Sequence, residues 1–206
     1  MPFDLASSSG RDVALPEPAL AQLFTEARSR NGWTDRPVPE ALLRQLYDLT
    51  KFGPTAVNAT PARFVFVTSP EAKARLAPLM SGNNRDKTLA APVSVVIGHD
   101  LAFPDTLPRL FPHAPGIKDA FADEAMRRET AFRNGSLQAG YFLIAARALG
   151  LDVGPMSGFD SAGVQGAFFA NRQVEPNLIV NLGYGSDENL FARSPRLDFA
   201  EAAQIL

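Results

Sequence analysis

The stretch AFRNGSLQAGYFLIAARAL, residues 131–149, decides the architecture. At helical spacing its apolar side chains occupy most of the circumference, and a helix of that kind belongs inside a structure. Gly135, Ser136, Ala139 and Gly140 keep one side small enough for another backbone to come close. The segment reads as the central helix of the fold and as a contact between two copies of the chain. The alternative is an ordinary core helix in a monomer. Helical patterning runs from about Ile117 to Gly150 and divides into two helices, of which this is the second.

Around this helix lie four candidate strands. Arg63–Thr68 (RFVFVT) is aromatic and β-branched. Pro92–His99 (PVSVVIGH) is nearly all apolar, as a strand covered on both faces would be. Residues 151–159 (LDVGPMSGF) read as a short strand and turn, and residues 177–183 (NLIVNLG) as another buried strand. Helical spacing marks residues 17–30, stopped by Asn31-Gly32, and residues 39–52, with Pro39 in the first turn and Gly53-Pro54 past the end. Residues 70–80 form a helix opened by Pro70 and interrupted near Pro78. Residues 160–169 form another, with Asp160 as N-cap. Between these elements lie a proline-bounded loop (53–62), a loop carrying Asn83, Asn84 and Lys87, and a proline-rich surface excursion (101–116). The last 20 residues read as extended. The order αα-β-α-β-αα-β-α-β fits a mixed α/β or α+β sandwich of helices around a central sheet. One domain is expected over 16–206, preceded by a flexible or docking tail over 1–15.

Composition bounds the function. Hydrophobic residues make up 46% of the 206 and charged residues 20%, a globular balance that argues against disorder. The absence of cysteine excludes disulfides, thiolate metal sites and cysteine nucleophiles. Two histidines, His99 and His113, cannot build a three-histidine zinc site. A net charge of -2 offers no basic field for nucleic acid. No apolar run approaches the ~18 residues of a membrane span, and the N-terminus lacks the charged and apolar regions of a secretory signal. A cytoplasmic protein without nucleic-acid or membrane partners is expected.

Most common catalytic devices are missing. The chain has no G-x-x-x-x-G-K-[ST] phosphate loop, no G-x-G-x-x-G after the first strand and no G-x-S-x-G elbow. It offers instead short loops ending in small, Asn or cationic residues: Arg28–Arg30, Pro54–Asn58, Asn84–Lys87, Gly154–Gly158 and Arg193–Arg196. With so few acids and bases in distinctive places, a carried cofactor is the natural source of chemistry.

Five segments, in order, carry a resemblance to a known family. They are ARSRNGWTDRPV (27–38), GPTAVNATPARFVFV (53–67), NRDKTLAAPV (84–93), GLDVGPMSGFD (150–160) and NLIVNLGYG (177–185). Together they resemble the nitroreductase family of FMN enzymes. The resemblance implies an α+β fold with a mostly antiparallel central sheet, flanking helices, a long buried central helix and an intertwined homodimer. It also implies ping-pong hydride transfer from NADH or NADPH, through FMN, to a small electrophile. The segments NGW, GPTAVNATPARFVF, ETAFRN, ALGLDVGPMSGFD and ARSPRL are similar to one branch, the malonic semialdehyde reductases of pyrimidine breakdown. A broad nitro- or quinone-reducing enzyme is the alternative, and a flavin-binding module without turnover a remoter one.

The resemblance also assigns roles. Arg28, Ser29 and Arg30 would hold the FMN phosphate, with Arg193 or Arg196 closing the clamp from the other subunit. Asn84 and Lys87 would face the pyrimidine side of the ring, where an ammonium stabilises the charge of the reduced flavin. Pro54, Thr55, Ala56 and Asn58 would bond and pack against the ring. Pro155, Met156, Ser157 and Gly158 would lie beneath it, the backbone N–H groups of Ser157 and Gly158 addressing N5 or O4. No side chain is assigned as catalytic. His113 could cover the substrate, although an exposed loop residue is the plainer reading. Trp33 reads as packing rather than as a stacking partner. The family's usual second cation near Ser29 is replaced here by Asn31.

Overall fold

A computed structural model describes residues 13–206. The tail expected over 1–15 lies outside the described residues except for its last three, which are exposed.

Fourteen elements follow in order among the described residues: α1 (Glu17–Leu20), continued by a wider turn over Ala21–Thr25, β1 (Gly32–Trp33), α2 (Glu40–Thr50), β2 (Ala62–Val67), α3 (Pro70–Leu76), α4 (Asn84–Ala90), β3 (Val93–Asp100), α5 (Leu107–Leu110), α6 (Glu124–Ala148), β4 (Asp152–Met156), α7 (Ser161–Phe168), β5 (Val174–Gly183), β6 (Gly185–Ser186) and α8 (Phe199–Ala202). The main sheet has the order β2-β3-β5-β4 and every pairing in it is antiparallel. The mostly antiparallel sheet flanked by helices is therefore as expected.

β3 is buried along its whole length because both faces of the sheet are covered. On one face Val93, Val95 and Ile97 pack with Val180 and Leu182 against Leu43 and Leu46 of α2 and Phe142 and Ala146 of α6. On the other, Val96 and Ile179 pack with Leu76, Val164 and Phe169. The alternation follows from the two-residue period of a strand.

Several expectations need correction. The first helix ends at Thr25, not near residue 30, because the chain straightens to lie along β4: Ser29 pairs in parallel with Val153. Residues 84–90 form a helix rather than a loop. The proline-rich stretch is no surface excursion. Phe103 and Leu107 are fully buried and join Ala59, Leu101, Phe121 and Ala131 in a third apolar cluster. The region before Gly150 is one long helix rather than two. It starts after Asp123, whose side chain accepts from Met126 N at 2.8 Å, and a 3-10 stretch over Pro115–Phe121 leads into it. β5 begins at Val174, three residues early. It passes Pro176 by a bulge, in which Gly98 pairs with Pro176 and Ile97 with Leu178, so Asn177 stands unpaired. The small β1–β6 ribbon was not foreseen.

α6 buries a stripe that includes two amides, Asn134 and Gln138. Phe132 and Tyr141, on its two flanks, are half-exposed and lie against His99 and Gly53; on its outer side Leu137 is exposed, and no described residue comes within 4 Å of the position a Cβ on Gly140 would take.

Candidate functional site

Three structures built from separate stretches of chain hold the candidate residues. The first is the junction of the N-terminal segment with β4. Arg30 N donates to Val153 O at 3.0 Å, and a Cβ on Gly154 would sit 2.6 Å from Arg30 O, so glycine is what permits this approach. Arg30 is a brace. Its guanidinium bonds Asp187 at 2.6 Å, Asp152 at 3.4 Å and Ser186 O at 3.2 Å. Burial works to lower its pKa, but the bonds to Asp187 and Asp152 outweigh this and hold it above its ordinary value. Arg28 bonds the carbonyl of Phe191, Arg193 donates to Ala27 O at 3.0 Å, and Asn31 Nδ2 to Asn189 O at 3.0 Å. The C-terminal tail thus lies along this segment of its own chain, a correction to the expectation that Arg193 arrives from another subunit. Arg196 folds back onto Ser194 O and Pro195 O and stays away.

Arg147, at the end of α6, was missed by the sequence reading. It donates to Leu23 O at 3.0 Å, yet its buried Nε has no partner. Its pKa is lowered by burial and by the Arg193 cation, against the pull of Asp152. The signal lay in its position, a cation closing the apolar run Tyr141–Ala146, but only the fold puts it beside Arg193.

The second structure joins α4 to the turn after β4. Asn84 Nδ2 donates to Gly158 O at 3.2 Å and Ser81 N to the same oxygen at 3.0 Å. A Cβ on Gly158 would meet Asn84 Nδ2 at 2.9 Å. No hydrogen bond from the backbone N–H of Ser157 or Gly158 to another described residue is present. One turn along α4, Lys87 is half-buried and makes no ion pair with a described residue. It faces a hollow of about 440 Å³ shared with Asn31, Trp33, Asn189 and Phe191 and with the carboxylates Asp86 and Glu188. The indole Nε1 of Trp33 is buried without a partner among the described residues. A half-buried ammonium, an orphaned indole N–H and two unclaimed backbone N–H groups make a donor set with capacity for an acceptor-rich ligand. Pro155 is half-buried at this end of β4, whereas Met156 packs into the core and does not face the turn.

The third structure is the loop over 53–62. Val57, Asn58 and Thr60 have φ of 48°, 50° and 38°. Three left-handed residues without a glycine, two of them β-branched, are costly, and such strain gathers at functional sites. Two amides one helical turn apart on α6 hold the loop: Asn134 Oδ1 accepts from Ala56 N at 2.8 Å and Gln138 Oε1 from Ala62 N at 2.9 Å. Within it, Thr55 Oγ1 accepts from Thr60 N at 3.1 Å, while Pro54 and Ala56 are exposed. Asn58 Nδ2 reaches Leu110 O at 2.9 Å. His113 is exposed and lies against Phe111, ring centroids 3.9 Å apart.

The first and second structures adjoin. The third does not. Asn58 precedes β2 and Gly158 follows β4, and these are the two edge strands of the sheet. Both positions lie at the same end of the strands, three inter-strand spacings apart, roughly 14 Å. The expectation that Asn58, Lys87 and Gly158 share one crevice therefore fails within a single chain.

Among the described residues, no group of three or more His, Asp or Glu could hold a metal ion, and no helix is long and apolar enough to cross a membrane.

The chain matches the model of the nitroreductase family over residues 25–184. It is 65% identical over 188 residues to a protein of Caulobacter sp. (strain K31) that bears the provisional name NADH dehydrogenase/NAD(P)H nitroreductase, covering 91% of this chain and 96% of that protein. A protein of Burkholderia lata with the same provisional name is 59% identical, over 94% of this chain and 99% of the other. Among solved structures, a protein of Exiguobacterium sibiricum provisionally named a nitroreductase, in complex with FMN, superposes with a TM-score of 0.82 at 20% identity, over 94% of this chain and 98% of that one. One from Bacillus subtilis gives 0.82 at 21%, over 92% and 99%.

Proposed function

The chain belongs to the nitroreductase family, and from that premise we propose that it is an FMN-dependent oxidoreductase working as a homodimer, drawing on NADH or NADPH and reducing malonic semialdehyde to 3-hydroxypropanoate. The observation that carries the redox reading is Lys87: half-buried, in no ion pair with a described residue although Asp86 and Glu188 line the same hollow, and one turn from the amide that clamps the Gly158 turn. A half-buried cation that no carboxylate pairs directly is stabilised by an electron-rich ligand.

The donor set fits FMN. When bound, FMN supplies two-electron chemistry, taking hydride from a reduced nicotinamide and delivering it to an electrophilic carbon or nitrogen. Lys87 and Asn84 would hold the pyrimidine edge and favour the charge it gains on reduction. The N–H groups of Ser157 and Gly158 would address the reactive edge, so no side-chain acid is needed there. Arg28, Ser29 and Arg193 would grip the phosphate, with Arg147 behind them. Arg30 would keep the segment in place, and Arg196 would take no part. Pro54, Thr55, Ala56 and Asn58 would complete the cradle from a second copy, since one sheet separates them from Lys87 in their own chain. The outer face of α6, where the exposed Leu137 stands beside the open Gly140, gives that second copy a place to pack closely.

A broad NAD(P)H nitroreductase or quinone reductase is the second reading. The relatives' provisional names favour it, and so does the hollow of about 730 Å³ beside Asn58, ample for an aromatic acceptor. Comparison of kcat/KM for malonic semialdehyde and a nitroaromatic separates the two, and a strong preference for the nitroaromatic removes the aldehyde assignment. The redox reading itself is tested with Lys87→Ala. The expected result is a folded protein that loses FMN on desalting or is reduced at least tenfold more slowly by NADH. Unchanged retention and unchanged reduction would remove Lys87 from the ring.

A further inference from the structure

The hollow beside the strained loop has an unusual charge content. Three cations line it, Lys51, Arg63 and Arg109, and no carboxylate does. Two of the three are already neutralised. Lys51 bonds Asp48 at 2.6 Å, and Arg63 bonds Asp100 at 2.8 Å as well as the carbonyls of Thr60 and Ala62. Arg109 makes no hydrogen bond or ion pair with a described residue. It is nonetheless well positioned. It stands on α5, which is anchored in the core by the fully buried Leu107. The backbone carbonyl of the next residue, Leu110, accepts a hydrogen bond from Asn58 at 2.9 Å, so the end of α5 that carries Arg109 is tied to the loop that would face the flavin.

We infer that Arg109 anchors the carboxylate of the acceptor, so that this chain selects short carbonyl compounds carrying an anionic end. The inference rests on the loop over 53–62 being one wall of the redox site. A planar guanidinium matches a carboxylate with two parallel hydrogen bonds, which fixes orientation as well as affinity. With the carboxylate held at Arg109, the carbonyl carbon of a three-carbon acid is directed toward Asn58. Reduction adds a hydride, drawn from NADH or NADPH, to that carbon and a solvent proton to its oxygen. The carboxylate is unchanged. A neutral aldehyde of the same length lacks the anchor and binds without preferred orientation.

The test compares kcat/KM for malonic semialdehyde and for propanal in the FMN-loaded enzyme. The unaltered chain is expected to prefer the anion, and Arg109→Gln to lower the anion-to-neutral ratio on the order of 10²-fold, with Arg109→Lys recovering part of it. Because Arg109 is exposed and pairs with no described residue, neither substitution threatens folding. Calorimetric titration with malonate, which cannot be reduced, gives a second readout: its affinity is expected to fall at least tenfold in Arg109→Gln. An unchanged ratio, or unchanged malonate binding, overturns the assignment while the redox reading stands. A chain that retains no FMN, read from its visible spectrum before any acceptor is added, overturns the redox reading and this inference with it.

Discussion

Replacing Asn134 with alanine should loosen the ring-facing loop from behind. Asn134 is 4% exposed, and its Oδ1 is the acceptor for Ala56 N at 2.8 Å. Removing it leaves a backbone N–H unpaired at the start of the loop, a loss of about 1–3 kcal/mol. Alanine recovers roughly 0.5 kcal/mol through its better helix propensity. The net destabilisation is about 0.5–2.5 kcal/mol, and for a chain of this size that lowers Tm by about 1–10 °C. A second effect is local. Val57, Asn58 and Thr60 hold left-handed conformations costing about 1–3 kcal/mol each, sustained because Asn134 and Gln138 fix both ends of the loop. With one end released the loop relaxes, and a ligand must restore it on binding. FMN affinity should fall about tenfold, the equivalent of ~1.4 kcal/mol. Thermal unfolding at fixed protein concentration measures the first effect, and fluorescence titration of FMN into apoprotein the second. Gln138→Ala, alone and combined with Asn134→Ala, should be non-additive, because both amides restrain one loop. A variant with unchanged Tm and an FMN Kd within twofold of the original would refute the claim that α6 sustains the strained loop.

Two further outcomes follow from the geometry. His99 is held below its ordinary pKa by burial and then by the Arg128 cation; Glu175 lies 3.3 Å from Nε2, but its charge is already engaged by Arg128. The unfolded imidazole therefore takes up its proton first as pH falls. This contribution to stability is fully present above about pH 6.5 and declines below it. Urea midpoints at pH 7.5 and 5.5 should differ by less in His99→Gln than in the original chain, and an equal difference would contradict this. Gly154→Ala places a methyl 2.6 Å from Arg30 O, so the N-terminal segment must lift from β4. The expected result is a loss of about 1–3 kcal/mol in urea unfolding together with weaker FMN retention, and a variant with unaltered stability would show that the close approach is not needed.

How much of this was legible in the sequence depends on the range of the interactions. The main strands, the Asp160 cap and the buried character of Val93–Ile97 were readable because strand alternation and capping are local. Phe103 and Leu107 were misread because prolines at 104, 108 and 112 suggested a surface loop, while the partners that bury them, Ala59 and Ala131, come from distant parts of the chain. Asn84 and Lys87 were identified by resemblance, but the bond from Asn84 to Gly158 is a tertiary event that spacing does not reveal. The arginines show the limit most clearly. Arg28, Arg30, Arg193 and Arg196 look equivalent in the sequence, and only the fold gives Arg30 two aspartates, turns Arg196 back on its own backbone and brings Arg147 beside Arg193. Nor could any one-chain reading show that β2 and β4 are opposite edges, because strand order is fixed by the pairing of β5 between β3 and β4.

That opposition leads to the most direct measurement. If one ring is held by Lys87 of one copy and Asn58 of another, two defective chains can repair each other. Lys87→Glu and Asn58→Glu should each abolish FMN retention as homodimers. Refolded or co-expressed together, they form mixed dimers in which one site carries both changes and the other carries neither. Random assortment then restores roughly a quarter of the sites, read as bound FMN per chain in the visible spectrum. No recovery of bound FMN in a preparation shown to contain mixed dimers would mean that the two residues do not meet across copies.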